Sequence, residues 1–518
     1  MKSNPVLKRR QLLEALASGA LLAGSGLLGM RAAKAQHGGR RFFLHEDSFG
    51  RIFPRLEPFA QPSAELRAAL LDIGKPGGIL DAKDNLAAGP VLLITDPALS
   101  VNNPNNLTHT AGTTFMGQFM DHDMTFDLTS VLGVPTDPEE SPNARTPAFD
   151  LDSVYGGGPR LSPELYEPSS RIKFRIGNGG LFEDLPRASD NAAILVDPRN
   201  DEHIILAGLH AAFLLFHNKA VDHVSRRHPR MHAEEVFEEA RRLTTWHYHW
   251  MIVHEFLPLY IGRELAEEIL HRGRKFYRPH VAFMPVEFQG AAYRFGHSMV
   301  RPSYRANLAG DNGKPFFAMV FDPAGQGQAD PVDLRGGARA PRRFIGWQTF
   351  FDFGDGNVKP NKLIDARLST PLFNLPLASI ASHQPPTSLP QRNLLRQVTW
   401  SMPSGQSIAR EMRVEPLSAS ELSELSGYGL GLERSTPLWY YVLKEAGARA
   451  SGQTLGPVGG RIVGEVIVGL LEQDRASFLS RDPFWKPTLP TLNGSVTGDF
   501  RMIDFLAFAG VDPASRGQ

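Results

Sequence analysis

Apolar residues recur with helical spacing along most of the 518-residue chain. The clearest stretches are residues 204–216, an amphipathic segment at 234–260 and the apolar turns at 459–474, and each predicts a helix. Between residues 52 and 105 the apolar pieces are short and alternate with Pro and Gly, which indicates loops and short helices. Since no long low-complexity segment interrupts the pattern, residues 52–518 are predicted to form one large, mostly α-helical domain with little β structure.

The first 51 residues follow a different pattern. Lys8-Arg9-Arg10 precedes a weakly hydrophobic stretch, and Ala33-Lys34-Ala35 has the small-x-small form of a cleavage site. Glu14 and several Gly and Ser residues interrupt the stretch, so a cleaved twin-arginine signal peptide over residues 1–35 is favoured over a membrane anchor. Residues 36–51 are polar and basic and are expected to extend along the surface. The mature chain is therefore predicted to be periplasmic or secreted, without stable membrane insertion.

Composition narrows the possible chemistry. The chain has 55 Lys and Arg residues against 55 Asp and Glu residues, and no basic run is interleaved with aromatic residues. Nucleic acid is therefore not an expected partner. There is no cysteine, which excludes disulfides, thiolate-ligated haem, iron-sulfur clusters and cysteine nucleophiles. Any metal must be bound by histidine, carboxylate or carbonyl groups.

The segment from Gly117 to Asp123 brings together groups that can move protons. In a helix, Gln118 and His122 share one face, Asp121 borders that face and Asp123 points elsewhere. A histidine beside carboxylates can act as an acid and a base because its unperturbed pKa lies near neutrality. The alternative is a buried histidine that only contributes to packing.

A loop further along the chain could bind a metal ion. Asp150 and Asp152 flank Leu151 and provide hard oxygen ligands of the kind that Ca²⁺ prefers, and Asp123 could complete the set. An Asp-x-Asp loop by itself is more often an ordinary turn.

Five separated motifs together resemble one family. They are residues 118–123, residues 150–156, Asp197-Pro198-Arg199-Asn200-Asp201-Glu202, Phe295-Gly296-His297 with Asn393, and Asp482-Pro483-Phe484-Trp485. In this order they resemble the peroxidase-cyclooxygenase superfamily, the animal-type haem peroxidases, which also have bacterial members. The resemblance implies a helical peroxidase domain that holds haem b and Ca²⁺, reduces hydrogen peroxide and oxidises a small donor, either a phenol or a halide or thiocyanate.

The resemblance also assigns a role to individual residues. His122 would be the catalytic acid and base, with Gln118 beside it and Arg199 as the catalytic arginine. His297 would ligate the haem iron and donate a hydrogen bond to Asn393, while Arg294 and Arg396 would meet the haem edge. Asp121 and Glu202 match positions that form ester bonds to haem. The implied calcium ligands are Asp123, Thr146, Ala148 through its carbonyl, Asp150 and Asp152.

Departures from the family pattern qualify these expectations. His203 stands where mammalian members have the methionine that makes a sulfonium link to haem, so no such bond is expected. Asp152 replaces a common serine and keeps an oxygen ligand. Arg294 occupies the position of the radical tyrosine of fatty-acid dioxygenases, which favours a peroxidase, although Tyr293 is adjacent. A dioxygenase and a non-catalytic adhesion or binding protein remain as alternatives, and the sequence leaves the physiological donor, the extent of haem esterification and the oligomeric state open.

Residues 203–254 contain nine histidines. His247 and His249 form a His-x-His pair, but on a helix they would lie about 200° apart. We therefore predict packing or surface roles for them, not a metal site.

Overall fold

The computed structural model of the protein describes residues 48–328, 330–380 and 382–518. The predicted signal peptide and most of residues 36–51 lie outside the described residues. The fold is about 45% helical with little sheet, which confirms the predicted mostly α class.

The helices and strands alternate with long connecting loops. The α-helices are α1 Ala64–Ile73, α2 Gly89–Thr95, α3 Ala111–Met124, α4 Asp152–Tyr155, α5 Gly158–Leu161, α6 Ile204–Arg227, α7 Ala233–Met251, α8 Leu257–Ile261, α9 Arg263–Arg272, α10 Val286–Gln289, α11 Gly296–Met299, α12 Leu389–Thr399, α13 Gly405–Glu411, α14 Leu438–Ala450, α15 Pro457–Gln473, α16 Phe478–Arg481 and α17 Met502–Ala509. The strands are β1 Phe49–Gly50, β2 Asn105–Thr110, β3 Gly177–Asn178, β4 Glu183–Asp184, β5 Met284–Pro285, β6 Ser303–Asp311, β7 Lys314–Met319 and β8 Pro360–Lys362. They pair as four two-stranded sheets, of which β1–β5 is parallel and β2–β8, β3–β4 and β6–β7 are antiparallel.

Three helices build the part of the core that carries the candidate site. Phe119 of α3 stacks on Phe213 of α6 with ring centroids 4.3 Å apart, and Phe213 meets the edge of Tyr248 on α7 at 5.4 Å. Helix α7 continues through a π-helical turn, Ile252–Phe256, into α8. The long helix expected at residues 234–260 is thus confirmed, with a π-helical turn that its apolar spacing did not indicate.

Helix α6 is long and apolar enough to cross a membrane by length and composition, and no other helix among the described residues meets that test. However, 83% of its most apolar stretch is buried inside the fold. A core helix of a soluble protein has the same properties, so the burial of α6 is explained by its packing against α3 and α7.

The N-terminal end of the described chain is anchored in the core. Phe49 in β1 is fully buried, pairs with Met284 of β5 and packs against Trp400 with ring centroids 5.4 Å apart. The expectation that residues 36–51 follow the surface is therefore wrong for residues 48–50, because burial of the Phe49 ring removes apolar area from water.

Candidate active site

Helix α3 presents His122 with one ring nitrogen engaged. The helix begins at Ala111 after the N-cap residue Thr110, and His122 lies in its last turn. His122 Nδ1 lies 2.9 Å from Asn200 Oδ1, and the Asn200 amide nitrogen lies 3.0 Å from His210 Nδ1. With Nδ1–H of His122 donating to Asn200, Nε2 keeps its lone pair, and no group in the described part of the chain occupies it.

The His122 imidazole is held in its neutral form. Its burial, and next the positive charge of Arg199, lower the pKa of His122 to about 3. A neutral imidazole with a free Nε2 can accept a proton at any pH well above this value. The sequence did not predict the contact between Asn200 and His122. The only indication of a role for Asn200 was its position beside Arg199, in the polar segment that precedes α6.

Arg199 ties the candidate site to the end of α3. Its guanidinium forms a two-point ion pair with Asp197, with the shorter contact at 2.7 Å, and its Nη2 donates to the carbonyl oxygens of Thr125 at 2.8 Å and His122 at 3.2 Å. Arg145 pairs with the same Asp197 at 2.8 Å. Arg199 Nη1 remains 3.7 Å from Asp121 Oδ2. Arg199 therefore both positions the end of α3 and places positive charge beside His122.

A second hydrogen-bonded chain fixes Gln118. His203 is the N-cap of α6, where its Nδ1 accepts from the backbone N–H of Leu206 at 3.2 Å. Its Nε2–H can then donate to Gln118 Oε1 at 2.9 Å, and the Gln118 amide donates to Glu202 Oε2 at 3.3 Å. Burial raises the pKa of Glu202 to about 7. In the sequence, His203 stands where mammalian members of the family have a methionine. In the structure, its side chain orients Gln118.

His297 lies in the short helix α11, opposite Asn393 of α12. Asn393 Nδ2 lies 2.8 Å from His297 Nδ1, while Asn393 Oδ1 accepts from Arg294 Nη1 at 3.2 Å. The two side chains expected to pair are adjacent, with the amide nitrogen of Asn393 facing the imidazole because Arg294 donates to the amide oxygen. Binding of a metal at His297 Nε2 needs a proton on Nδ1, and hence a half-turn of the Asn393 amide.

The two arginines expected at the haem edge have different partners. Arg396 pairs with the buried Asp127, whereas Arg294 donates to the carbonyl oxygen of Gln289 at 2.8 Å and to the amide of Asn393. Burial, followed by the charge of Arg396, lowers the pKa of Arg294 to about 9. In the described residues the hydrogen bonds of Arg294 all go to uncharged oxygens. An anionic group of a cofactor would therefore be favourable at Arg294.

The partial solvent access of side chains on both sides indicates a hollow between α3 and α11. Six of them keep partial solvent access although most residues around them are buried: Gln118, Asp121, Arg199, Glu202, Arg294 and His297. Tyr293 Oη donates to the carbonyl oxygen of Gly117 at 3.0 Å, so the turn before α11 touches the backbone of α3. A Cβ atom added at Gly296 would meet nothing nearer than 3.9 Å. An imidazole on one side, an acid-base pair on the other and an unneutralised arginine at the edge fit a haem group.

Three carboxylates meet behind His122. Oxygen atoms of Asp123, Asp150 and Asp152 lie within 4.8 Å of one another. The loop turns through a left-handed residue, Leu151 at φ 57°, whose N–H donates to Asp123 at 3.2 Å. Burial, and next the charges of Asp150 and Asp152, raise the pKa of Asp123 well above its usual value. A cation would remove this repulsion.

The other expected members of this cluster lie on the same loop. The Ala148 N–H donates to the Thr146 carbonyl oxygen at 2.8 Å, and His249 of α7 donates from Nε2 to the carbonyl oxygen of Phe149 at 2.7 Å. His247, also buried, meets the carbonyl oxygen of Leu243 at 2.7 Å. The predicted packing role of His247 and His249 is thus confirmed, and His249 in addition holds the loop.

The fold is that of the helical peroxidase-cyclooxygenase type. The family model for animal haem peroxidases matches residues 129–322, and the human eosinophil peroxidase is 27% identical over 233 residues, which are 39% of this chain and 32% of that protein. The matched part of the chain is therefore similar to the animal haem peroxidases. It spans less than a third of the length of the curated relatives that it matches.

Solved structures give the same fold. Peroxidase A from Dictyostelium discoideum superimposes with a TM-score of 0.60 at 16% identity, over 90% of this chain and 92% of that one. A fatty acid alpha-dioxygenase from Oryza sativa gives a TM-score of 0.52 at 15% identity, over 74% of this chain and 73% of that one. At these identities the likeness concerns the fold alone.

Proposed function

We propose that the protein is an exported haem-dependent peroxidase that reduces hydrogen peroxide and oxidises small donors, either phenols or a halide or thiocyanate. The observation that carries the proposal is His122, which is neutral, fixed through Nδ1 by Asn200 at 2.9 Å and free at Nε2 beside the charge of Arg199. The similarity to animal haem peroxidases implies the cofactor, haem b, and the hollow between α3 and α11 has the groups to hold it.

Each residue of the candidate site has one proposed role in the reaction with hydrogen peroxide. Haem, when bound, would supply a redox-active iron for the reaction with peroxide. His122 Nε2 takes a proton from the peroxide oxygen that binds and returns it to the oxygen that leaves as water. The Arg199 guanidinium stabilises the negative charge that develops as the O–O bond breaks. His297 would bind the haem iron, with Asn393 fixing the imidazole ring. Arg294 and Arg396 would contact the anionic edge of the haem.

The absorption spectrum of the purified protein tests the proposal. We expect a haem spectrum that changes on addition of hydrogen peroxide and returns when a phenol is added. The apoprotein should take up haem stoichiometrically. A folded protein that takes up no haem would overturn the proposal.

A fatty-acid dioxygenase is the alternative on the same fold. It requires a tyrosine that can be oxidised near the bound lipid, and Tyr293 is the candidate. However, the Tyr293 hydroxyl donates to Gly117 O at 3.0 Å and its ring stacks on Phe288 at 4.6 Å, so the side chain connects two backbone segments. Oxygen uptake with linoleate that is abolished in Tyr293→Phe would favour the dioxygenase. The non-catalytic alternative is disfavoured because Gln118, His122 and Arg199 are all assembled.

The carboxylate cluster is proposed to bind Ca²⁺ and to hold α3 in place. We expect the double variant Asp150→Ala with Asp152→Ala to have lower thermal stability and lower peroxidase activity. The two effects are coupled because Asp123 directly follows His122, and a displacement of about 1 Å at a catalytic group can cost roughly 10²-fold in rate. Thermal unfolding, peroxidase assays and elemental analysis measure the result.

The matched control for the calcium prediction is Asp352→Ala with Asp355→Ala, which removes two exposed loop carboxylates. This variant should keep the stability, the activity and the metal content of the wild type. Absence of calcium in the native protein, together with no effect of chelation on either property, would leave the loop as an ordinary turn.

The haem is also proposed to become ester-linked through Asp121 and Glu202 after exposure to peroxide. Both carboxyl groups border the hollow, and burial raises the pKa of each. Denaturing chromatography with mass detection should show haem moving into the protein fraction after peroxide treatment. The transfer should be smaller in Asp121→Ala or Glu202→Gln and nearly absent in the double variant. Fully extractable haem in treated wild-type protein would contradict the linkage and leave His122 and His297 unaffected.

A further inference from the structure

The proposed chemistry does not use an aromatic cluster on the protein surface. Three of the six tryptophans in the chain lie together, with the ring centroids of Trp246 and Trp485 5.3 Å apart and those of Trp250 and Trp485 6.1 Å apart. Trp250 and Trp485 are partly exposed, and the neighbouring Phe484 is 92% exposed. Such a concentration of rings at one surface site is unusual for residues that serve packing alone.

A continuous series of aromatic rings connects this cluster to α3. Successive centroid distances are 5.9 Å from Trp250 to Phe478, 6.4 Å from Phe478 to His249, 6.1 Å from His249 to Tyr248 and 6.2 Å from Tyr248 to Phe119. Phe119 directly follows Gln118 of the candidate site. The series therefore runs from the protein surface to the helix that carries Gln118 and His122.

Local charges distinguish the tryptophans of the cluster. Trp250 Nε1 donates to the Asp499 carboxylate at 3.3 Å, and a negative charge beside an indole favours its oxidised, cationic form. By contrast, the Arg242 guanidinium lies 4.4 Å above the ring of Trp246, where a positive charge opposes oxidation. Trp246 is also 95% removed from solvent, with 5% of its surface exposed. Arg501 Nε lies 3.6 Å from the other Asp499 oxygen and partly offsets this charge. The local charges and exposure therefore favour Trp250 over Trp246 as the tryptophan that loses an electron.

We propose that Trp250 is a surface oxidation site for phenolic groups carried on molecules too large to enter the cofactor hollow. The inference rests on the proposed peroxidase function. Each turnover reduces one hydrogen peroxide to two waters and requires two electrons. Trp250 supplies each electron in turn through the aromatic series, and its oxidised indole is restored by one electron from a phenol, which loses a proton to solvent. The balance is H2O2 + 2 ArOH → 2 H2O + 2 ArO•.

The test compares one phenol in two sizes. Free tyramine and tyramine attached to dextran are oxidised with hydrogen peroxide by haem-loaded protein, and dityrosine fluorescence measures the product. Trp250→Phe should lose most activity toward the dextran conjugate and keep its activity toward free tyramine. Trp246→Phe is the matched control and should behave as the wild type with both. Asp499→Asn keeps the tryptophan but removes the charge, and it should also slow oxidation of the conjugate only.

A second measurement does not depend on donor turnover. Peptide mass mapping after peroxide treatment without donor should find oxygen added to Trp250 in haem-loaded wild type, much less at Trp246, and none at either residue in haem-free protein. Equal oxidation of the conjugate by wild type and Trp250→Phe, or an unmodified Trp250 in treated holoprotein, would overturn the surface site. Failure of wild type with free tyramine as well would instead overturn the peroxidase function.

Discussion

Replacement of His297 by alanine should give a folded protein that holds little haem. Burial lowers the pKa of His297 to about 3, so the neutral ring needed for iron binding is present at ordinary pH. Loss of the imidazole removes the bond to the haem iron and leaves only contacts to the haem edge. Haem content per protein and the ferric spectrum measure the effect, which we expect to be the largest of any single substitution.

Two controls make the His297 result specific. His271→Ala removes an exposed histidine in the last turn of α9 and should leave haem content unchanged. Added imidazole should restore haem binding to His297→Ala, because it can occupy the space of the lost side chain. Normal haem content with an unaltered spectrum in His297→Ala would assign the axial ligand to another residue.

Replacement of His122 by alanine should preserve haem content and slow the reaction with peroxide. General acid-base catalysis typically contributes about 10²- to 10⁴-fold, and Arg199 alone does not replace the proton transfer. Stopped-flow spectra on mixing with hydrogen peroxide measure the rate. A variant within about threefold of wild type would remove His122 from this role.

The pH dependence offers a finer test of how His122 is held. Because the pKa of His122 is lowered to about 3, its base form is present above that value, and the peroxide rate should fall only as the pH approaches it. Asn200→Asp places a carboxylate against Nδ1 and should raise the pKa of His122, so the acid limb should move to higher pH. If the acid limb of the pH profile lies at the same pH in Asn200→Ser, Asn200→Asp and wild type, the Asn200 contact does not tune the pKa of His122.

The sequence predicts residues that belong to local motifs better than it predicts their partners. Gln118 and His122 follow from helical spacing, and the meeting of Asp123 with Asp150 follows from the resemblance to a known family. Asn200 escaped prediction because its contact spans 78 residues of chain and depends on how α3 meets the segment before α6. Short polar segments carry no periodic signal, so their side-chain directions are decided by tertiary packing.

The direction of the Asn393 amide escaped prediction for a related reason. A motif identifies a pair of residues, but competition with a third group decides which end of an amide faces which partner. Arg294 is such a competitor, because in the described residues its hydrogen bonds go to the Gln289 carbonyl and the Asn393 amide oxygen and not to a carboxylate. The burial of Phe49 likewise follows from a pocket made by distant segments.

The contact between His203 and Gln118 restricts the mutational paths open to this protein. A change at position 203 removes the group that holds Gln118 Oε1, and it also removes the N-cap of α6. The effect of any residue at 203 thus depends on which residue occupies 118, a form of epistasis between two helices. A lineage that exchanged this histidine for methionine would have to re-anchor Gln118 and re-cap α6 by further substitutions, so the two states are separated by several mutations and not by one.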